Sequence, residues 1–99
     1  MEVVYEWDPD KAANNWRKHG VAFAEAASVF LDPIALTFDD PDHSDEELRE
    51  ITIGVSTEQR VLFVSHCMRG DRIRIISARR ARQREIKQYA ERIDSGGSR

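Results

Sequence analysis

The feature that most narrows what this chain can fold into is the run from Arg72 to Tyr89, RIRIISARRARQREIKQY, whose hydrophobic period changes with no Gly or Pro in between. Ile73 and Ile75 alternate with Arg72 and Arg74, which is the mark of a half-buried strand, and β-branched isoleucine suits a pleated sheet. After Ser77 the spacing of Ala78, Arg82, Ile86, Tyr89, Ala90 and Ile93 predicts a helix that lays one stripe on a core, Arg82 contributing its methylene stem. Arg80, Arg84 and Lys87 then face outward. Such a run calls for a domain of mixed class, in which a sheet accepts the strand and a packed layer accepts the helix.

The same run polarises the charge. Arg69 to Arg92 carries nine Lys/Arg against three Asp/Glu, a net +6, in a chain whose total is −3. Residues 1 to 68 therefore sum to −9. An asymmetry of this size points to a polyanion on one side and a basic protein on the other. At 99 residues there is room for one modest core, expected over residues 1 to 94, and the Gly- and Ser-rich end, Ser95 to Arg99, reads as a flexible tail. No apolar run approaches the roughly 20 residues that a membrane span needs, and the N-terminus lacks a basic-then-apolar signal, so the expected location is the cytoplasm. Cys67 is the single cysteine, at the end of an apolar run, and reads as a buried structural thiol.

Taken in order, Val3, Tyr5 and Trp7 mark a first strand that stops at Asp8-Pro9, an N-cap followed by Pro at the first helical position. The helix is expected from Pro9 to about His19, with Ala12, Ala13 and Trp16 inward, basic residues at its negative end and Gly20 as its stop. Phe23, Ala26, Ala27 and Phe30 predict a short second helix, closed by Asp32-Pro33. Ile34 to Phe38 is β-prone. Asp39 to Glu50 holds seven carboxylates against one arginine and reads first as a solvated loop. Ile51, Ile53 and Val55, then Val61 to His66, are strands around a turn near Thr57 to Gln59, and Arg69-Gly70-Asp71 is the next turn. The expected fold is α+β: a small, mostly antiparallel sheet with two N-terminal helices and a C-terminal helix, all on one face.

With many arginines, few histidines and no metal-ligand spacing, catalysis by such a chain would work mainly through charge, and RNA cleavage suits that. Attack of a ribose 2′-OH on its phosphate needs a proton acceptor, a donor for the leaving 5′-oxygen, and cations aimed at the phosphorane oxygens. Arginine fits, because its planar fork binds phosphate bidentately and stays charged. The candidate cations are Arg49, Arg79, Arg80 and Arg84; the candidates for proton transfer are His19, Glu85 and Tyr89; Arg72, Arg74, Arg84 and Lys87 are expected to contact RNA. Each has a plainer reading. The arginines make a solubilising helix face, His19 is a helix-end residue, and Glu85 is a surface carboxylate paired with Arg82 or Arg79. His66 and Cys67 point to opposite faces of a strand and His43 lies in the acidic segment, so no zinc site is expected.

These residues also carry a resemblance. Glu6-Trp7-Asp8-Pro9 with Lys11, Asn15 to Val21 (NWRKHGV), Phe23, Glu25-Ala26, Phe30, Asp32-Pro33, Asp40 to Arg49, Gly54, Ser56 and Ile75 to Arg79 (IISAR), with Glu85 and Tyr89, resemble the BrnT family. The likeness runs in order from about Val4 to Glu91. It implies a RelE-like fold, a type II toxin that cleaves RNA without metal or cofactor and inhibits translation, and an antitoxin, BrnA, whose ribbon-helix-helix domain would be the route to operator DNA. The matching site positions are Lys18-His19-Gly20, Arg49, Ile76 to Arg79, Arg80, Glu85 and Tyr89. One departure stands out: where an ATxxE pattern would place a small hydroxyl residue able to orient Glu85, this chain has Ala81-Arg82. The rival reading is a non-catalytic protein that binds a basic, DNA-binding regulator through its acidic half. A DNA-binding regulator is disfavoured by the negative total charge and the absence of a helix-turn-helix pattern.

Overall fold

The structure, a computed structural model, describes residues 2–43 and 48–97, with the side chains of His43 and of residues 93–97 outside that description. In chain order the elements are β1 (Val4–Glu6), α1 (Pro9–His19), α2 (Phe23–Ala27) with a 3-10 turn at Ser28–Leu31, β2 (Leu36–Asp39), a 3-10 turn at Pro41–His43, β3 (Arg49–Val55), β4 (Val61–Arg69), β5 (Arg72–Arg80) and α3 (Gln83–Gly97). The five strands form one sheet in the order β1-β5-β4-β3-β2. It is mixed: β1 runs parallel to β5, and the other three pairings are antiparallel. The α+β class holds.

The ends of α1 are set by local chemistry. Asp8 caps it, accepting hydrogen bonds from the amides of Asp10 at 2.8 Å and Lys11 at 3.4 Å, and Gly20 closes it at φ +67°, donating to the Trp16 carbonyl. Ala12 packs half-buried against the core as expected, but the buried residue of the helix is Asn15. Trp16, expected inside, is 59% exposed, and Ala13 is exposed as well. Because β1 is only three residues long and pairs with Arg72 to Arg74, the edge of β5 at Ala78 has no neighbouring strand. The Asn15 amide takes that place: Nδ2 donates to the Ala78 and Val21 carbonyls, both at 2.9 Å, and Oδ1 accepts from the Ala78 amide at 3.0 Å. A buried polar group that satisfies an open sheet edge outweighs a tryptophan that would leave it bare.

The helices lie on both faces of the sheet rather than one. Val21, Phe23, Ala26 and Val29 pack with Leu62, Val64, Ile75 and Ala78 on the α1 and α2 face. Ile51, Ile53 and Tyr89 pack with Ile34, Val61 and Phe63 on the α3 face. The strand-to-helix junction is also later than its period suggests: β5 continues through Arg80, and α3 begins at Gln83. A register shift between Ser65 and His66 of β4 leaves Ile76 as the extra residue of β5. Ile75 and Ala78 thereby reach the same face three residues apart, a spacing that imitates a helix. Ladder pairing of Ala78, Arg79 and Arg80 with Val64, Phe63 and Leu62 overrides their helix propensity. On α3 the buried side chains are Glu85 and Tyr89, whereas Arg82, Ile86 and Ala90 are exposed; the Ile93 side chain lies outside the described residues. The acidic segment ends inside strands at both sides, Asp39 in β2 and Arg49 in β3, and its residues 44–47 lie outside the described residues.

Candidate active site at the β5 to α3 junction

Arg79 and Glu85 bracket the turn between β5 and α3 and close on each other. Arg79 donates from Nη1 to Glu85 Oε1 at 2.8 Å and from Nη2 to Oε2 at 2.9 Å, an end-on bidentate pair, and Nη1 also donates to the Arg80 carbonyl at 3.2 Å. The guanidinium sits over the Phe63 ring, its Cζ 3.9 Å from the centroid. Three of its five N–H groups are used. The two that remain, on Nε and on the outer side of Nη2, are adjacent and parallel. They form a side-on fork with no partner among the described residues, of the shape that matches two phosphate oxygens.

Glu85 is held just as firmly. It occupies the third position of α3, and its Oε1 also accepts the Arg82 amide at 2.7 Å. This is one half of a capping box, with Arg82 at the N-cap position. A Thr there would supply the other half; Arg82 cannot, and in this chain Arg79 and the backbone orient Glu85. The Arg79 hydrogen bonds hold the Glu85 carboxyl below its ordinary value, against the upward pull of burial. The carboxylate is ionised and committed. Tyr89, one turn on, donates its hydroxyl to Asp32 Oδ2 at 2.5 Å. Burial and the Asp32 carboxylate push the Tyr89 hydroxyl up to about 12. Asp32 also accepts the amides of Val55 at 2.9 Å and Ile34 at 3.0 Å; burial raises its carboxyl, but these hydrogen bonds prevail and leave it low. Asp32 therefore anchors α3 to the sheet. Gly54 admits that anchor, since a Cβ there would lie 3.1 Å from Ala35 Cβ and 3.2 Å from the Val29 carbonyl.

Beside the pair, a depression of about 570 Å³ between α3 and the sheet is lined by Phe38, Phe63, Arg79, Arg84, Lys87 and their neighbours. Arg84 and Lys87 form no ion pair among the described residues. The remaining candidates divide. Arg49 and Arg74 both pair with Cys67 of β4 and share the α3 face, farther along the strands. Arg74 and Arg72 both lie against Glu6, at 2.8 and 3.8 Å. Arg80 pairs with Leu62 and falls on the opposite face from Arg79. His19 lies at the end of α1, beside Ile76 and Ser77. So the structure joins Arg79 with Glu85, places Tyr89, Arg84 and Lys87 near them, and separates Arg80.

One cluster escaped sequence reasoning. Glu25 on α2 accepts hydrogen bonds from Arg60 Nε at 2.9 Å, Arg60 Nη2 and Ser56 Oγ at 2.7 Å. Arg60 chiefly holds the Glu25 carboxyl low, against burial, with smaller help from Ser56 and the Arg80 charge. The partners are 35 residues apart, and no local spacing signals them. Among the described residues no three His, Cys, Asp or Glu gather as metal ligands, and no helix is long and apolar enough to cross a membrane.

Comparison with known proteins bears on the family and the fold. A family model described as the ribonuclease toxin BrnT of type II toxin-antitoxin systems matches residues 7–85. The crystal structure of the Brucella abortus ribonuclease toxin BrnT, at 1.1 Å, is similar: 28% sequence identity and a TM-score of 0.61, over 84% of this chain and 99% of that one. No curated protein matches. The matched residues include Arg79 and Glu85.

Proposed function

This chain belongs to the BrnT family of ribonuclease toxins of type II toxin-antitoxin systems, and on that premise we propose that it is a metal-independent endoribonuclease built around Arg79. The observation that carries the reading is the free side-on fork of Arg79, fixed by Glu85 from one end and by Phe63 from below. A cation held this firmly can be aimed at phosphorane oxygens as charge develops there, and that preorganisation is where electrostatic catalysis gains most. Glu85, ionised and doubly bonded, positions Arg79 rather than moving a proton. Tyr89, donating to Asp32, holds α3 against the sheet rather than moving a proton. His19 remains for proton transfer at the ribose 2′-OH or the leaving oxygen, Arg49 adds positive charge on the same sheet face, and Arg84 and Lys87 gather RNA. The wider reading is a RelE-like toxin of the cytoplasm that inhibits translation by cutting RNA. A BrnA-like ribbon-helix-helix antitoxin neutralises it and supplies the contact with operator DNA.

The test is cleavage of a defined RNA by purified protein in EDTA, with the fragment ends analysed. Attack by the 2′-OH leaves a 2′,3′-cyclic phosphate and a 5′-hydroxyl. Activity lost to the chelator, or fragments with 5′-phosphates, would contradict the mechanism, and no cleavage under any condition would favour a non-catalytic binding protein.

A further inference from the structure

We propose that the edge between α1 and β5 is a second phosphate-binding subsite, which seats the RNA backbone beside Arg79 through Lys11, Lys18 and Ser77; the inference rests on the ribonuclease reading above. Three observations meet there. The Asn15 amide, bonded to both backbone groups of Ala78, fixes the rotation of α1 against the strand. Lys11 and Lys18 are seven residues apart and therefore share one face of that helix. Together with Asn14, His19, Ile76 and Ser77 they line a depression of about 200 Å³. Neither lysine forms an ion pair among the described residues, although the chain has more carboxylates than cations.

The floor of the depression is the irregular part of β5. The extra residue at Ile76 resets the strand's alternation, so that Ser77, exposed, shares a face with Arg79 two residues on. The rise of a strand puts those two positions about 7 Å apart. A strand of RNA held by Lys11, Lys18 and the Ser77 hydroxyl would therefore continue directly onto the Arg79 fork, past His19. Two ammonium groups and a hydroxyl on one edge suit the phosphodiester backbone, read as charge and without regard to base.

The experiment measures binding of a 2′-O-methyl RNA decamer, which cannot be cut at its blocked hydroxyls, over a range of salt concentrations. The wild type is compared with the double variant Lys11→Gln/Lys18→Gln and with Arg17→Gln, which removes a charge from the same helix outside the depression. Loss of one or two phosphate contacts should lower the slope of log affinity against log salt by about 0.7 to 1.4, with weaker binding, while Arg17→Gln keeps the wild-type slope. A double variant that keeps the wild-type slope overturns the subsite and leaves the ribonuclease reading intact. Equal losses in the double variant and in Arg17→Gln would also overturn it, because the lysines would then act only as bulk charge. A wild type that neither binds the decamer nor cleaves unblocked RNA overturns both.

Discussion

The two faces of the sheet differ in how completely the described residues cover them. On one, α1, α2 and the turn after it enclose a continuous core in which Val21, Ala26, Val29, Leu62 and Val64 have no exposed surface. On the other, α3 covers a smaller cluster around Ile51, Ile53 and Tyr89, and the rest of that face carries Arg49, Arg74, Arg79, Ser65 and Ser77. Among the described residues most of the buried apolar side chains lie on the first face, and the second carries three arginines, of which Arg74 is paired with Glu6 and Arg79 with Glu85. Neighbours in sequence are thereby sorted into different roles: Leu62 and Phe63 on β4, Arg79 and Arg80 on β5.

The largest expected effect breaks the covered face. Leu62→Ala removes a fully buried side chain from the larger core and should cost about 2 to 5 kcal/mol of unfolding free energy in urea denaturation. The same face holds its own weak point in His66, whose ring lies edge-on to Phe30 with Nε2 2.8 Å from Thr52 Oγ1 and Nδ1 without a partner among the described residues. Burial lowers the imidazole to about 4. The unfolded chain thus takes up its proton at a higher pH than the folded one does, so this contribution is complete above about 6.5 and is lost as pH falls toward 4. It amounts to about 3 kcal/mol. Denaturation followed from pH 7 to pH 4 should show that decline, and His66→Gln should flatten it; an unchanged slope in the variant would move the acid sensitivity elsewhere.

Effects on the α3 face should be smaller in stability and larger in activity. Phe63→Leu keeps the volume nearly constant but removes the ring beneath Arg79. Unfolding free energy should change by under about 1.5 kcal/mol, while single-turnover cleavage should fall by the equivalent of about 0.5 to 2 kcal/mol. Arg84→Ala and Lys87→Ala, on the exposed side of α3, should have the least effect on the bond-breaking step and act through RNA affinity, which added salt screens.

Several parts of this picture are legible in the chain itself. Asp8-Pro9 and Gly20 mark both ends of α1, because capping is a local affair of side chain and adjacent amides. The Arg79 and Glu85 pairing is within reach of sequence reasoning, since the two flank one short turn. The face each arginine takes is not legible: it depends on the register shift opposite Ser77, which changes the parity of everything after it. The burial of Asn15 in place of Trp16 likewise depends on how short β1 is, and the tie between Glu25 and Arg60 depends on α2 meeting the distant turn between β3 and β4. These are tertiary facts, and hydrophobic spacing carries no record of them.

The most direct test of the account compares the two adjacent arginines of β5. Arg79→Ala and Arg80→Ala, each shown to be folded by circular dichroism, are assayed for single-turnover cleavage at saturating RNA. Loss of a preorganised donor to the transition state should lower the Arg79→Ala rate by about 10² to 10³. Arg80→Ala, on the opposite face, should stay within about threefold of wild type, a change under about 1 kcal/mol. Equal losses, or a larger loss at Arg80, would contradict the assignment of the chemistry to the α3 face.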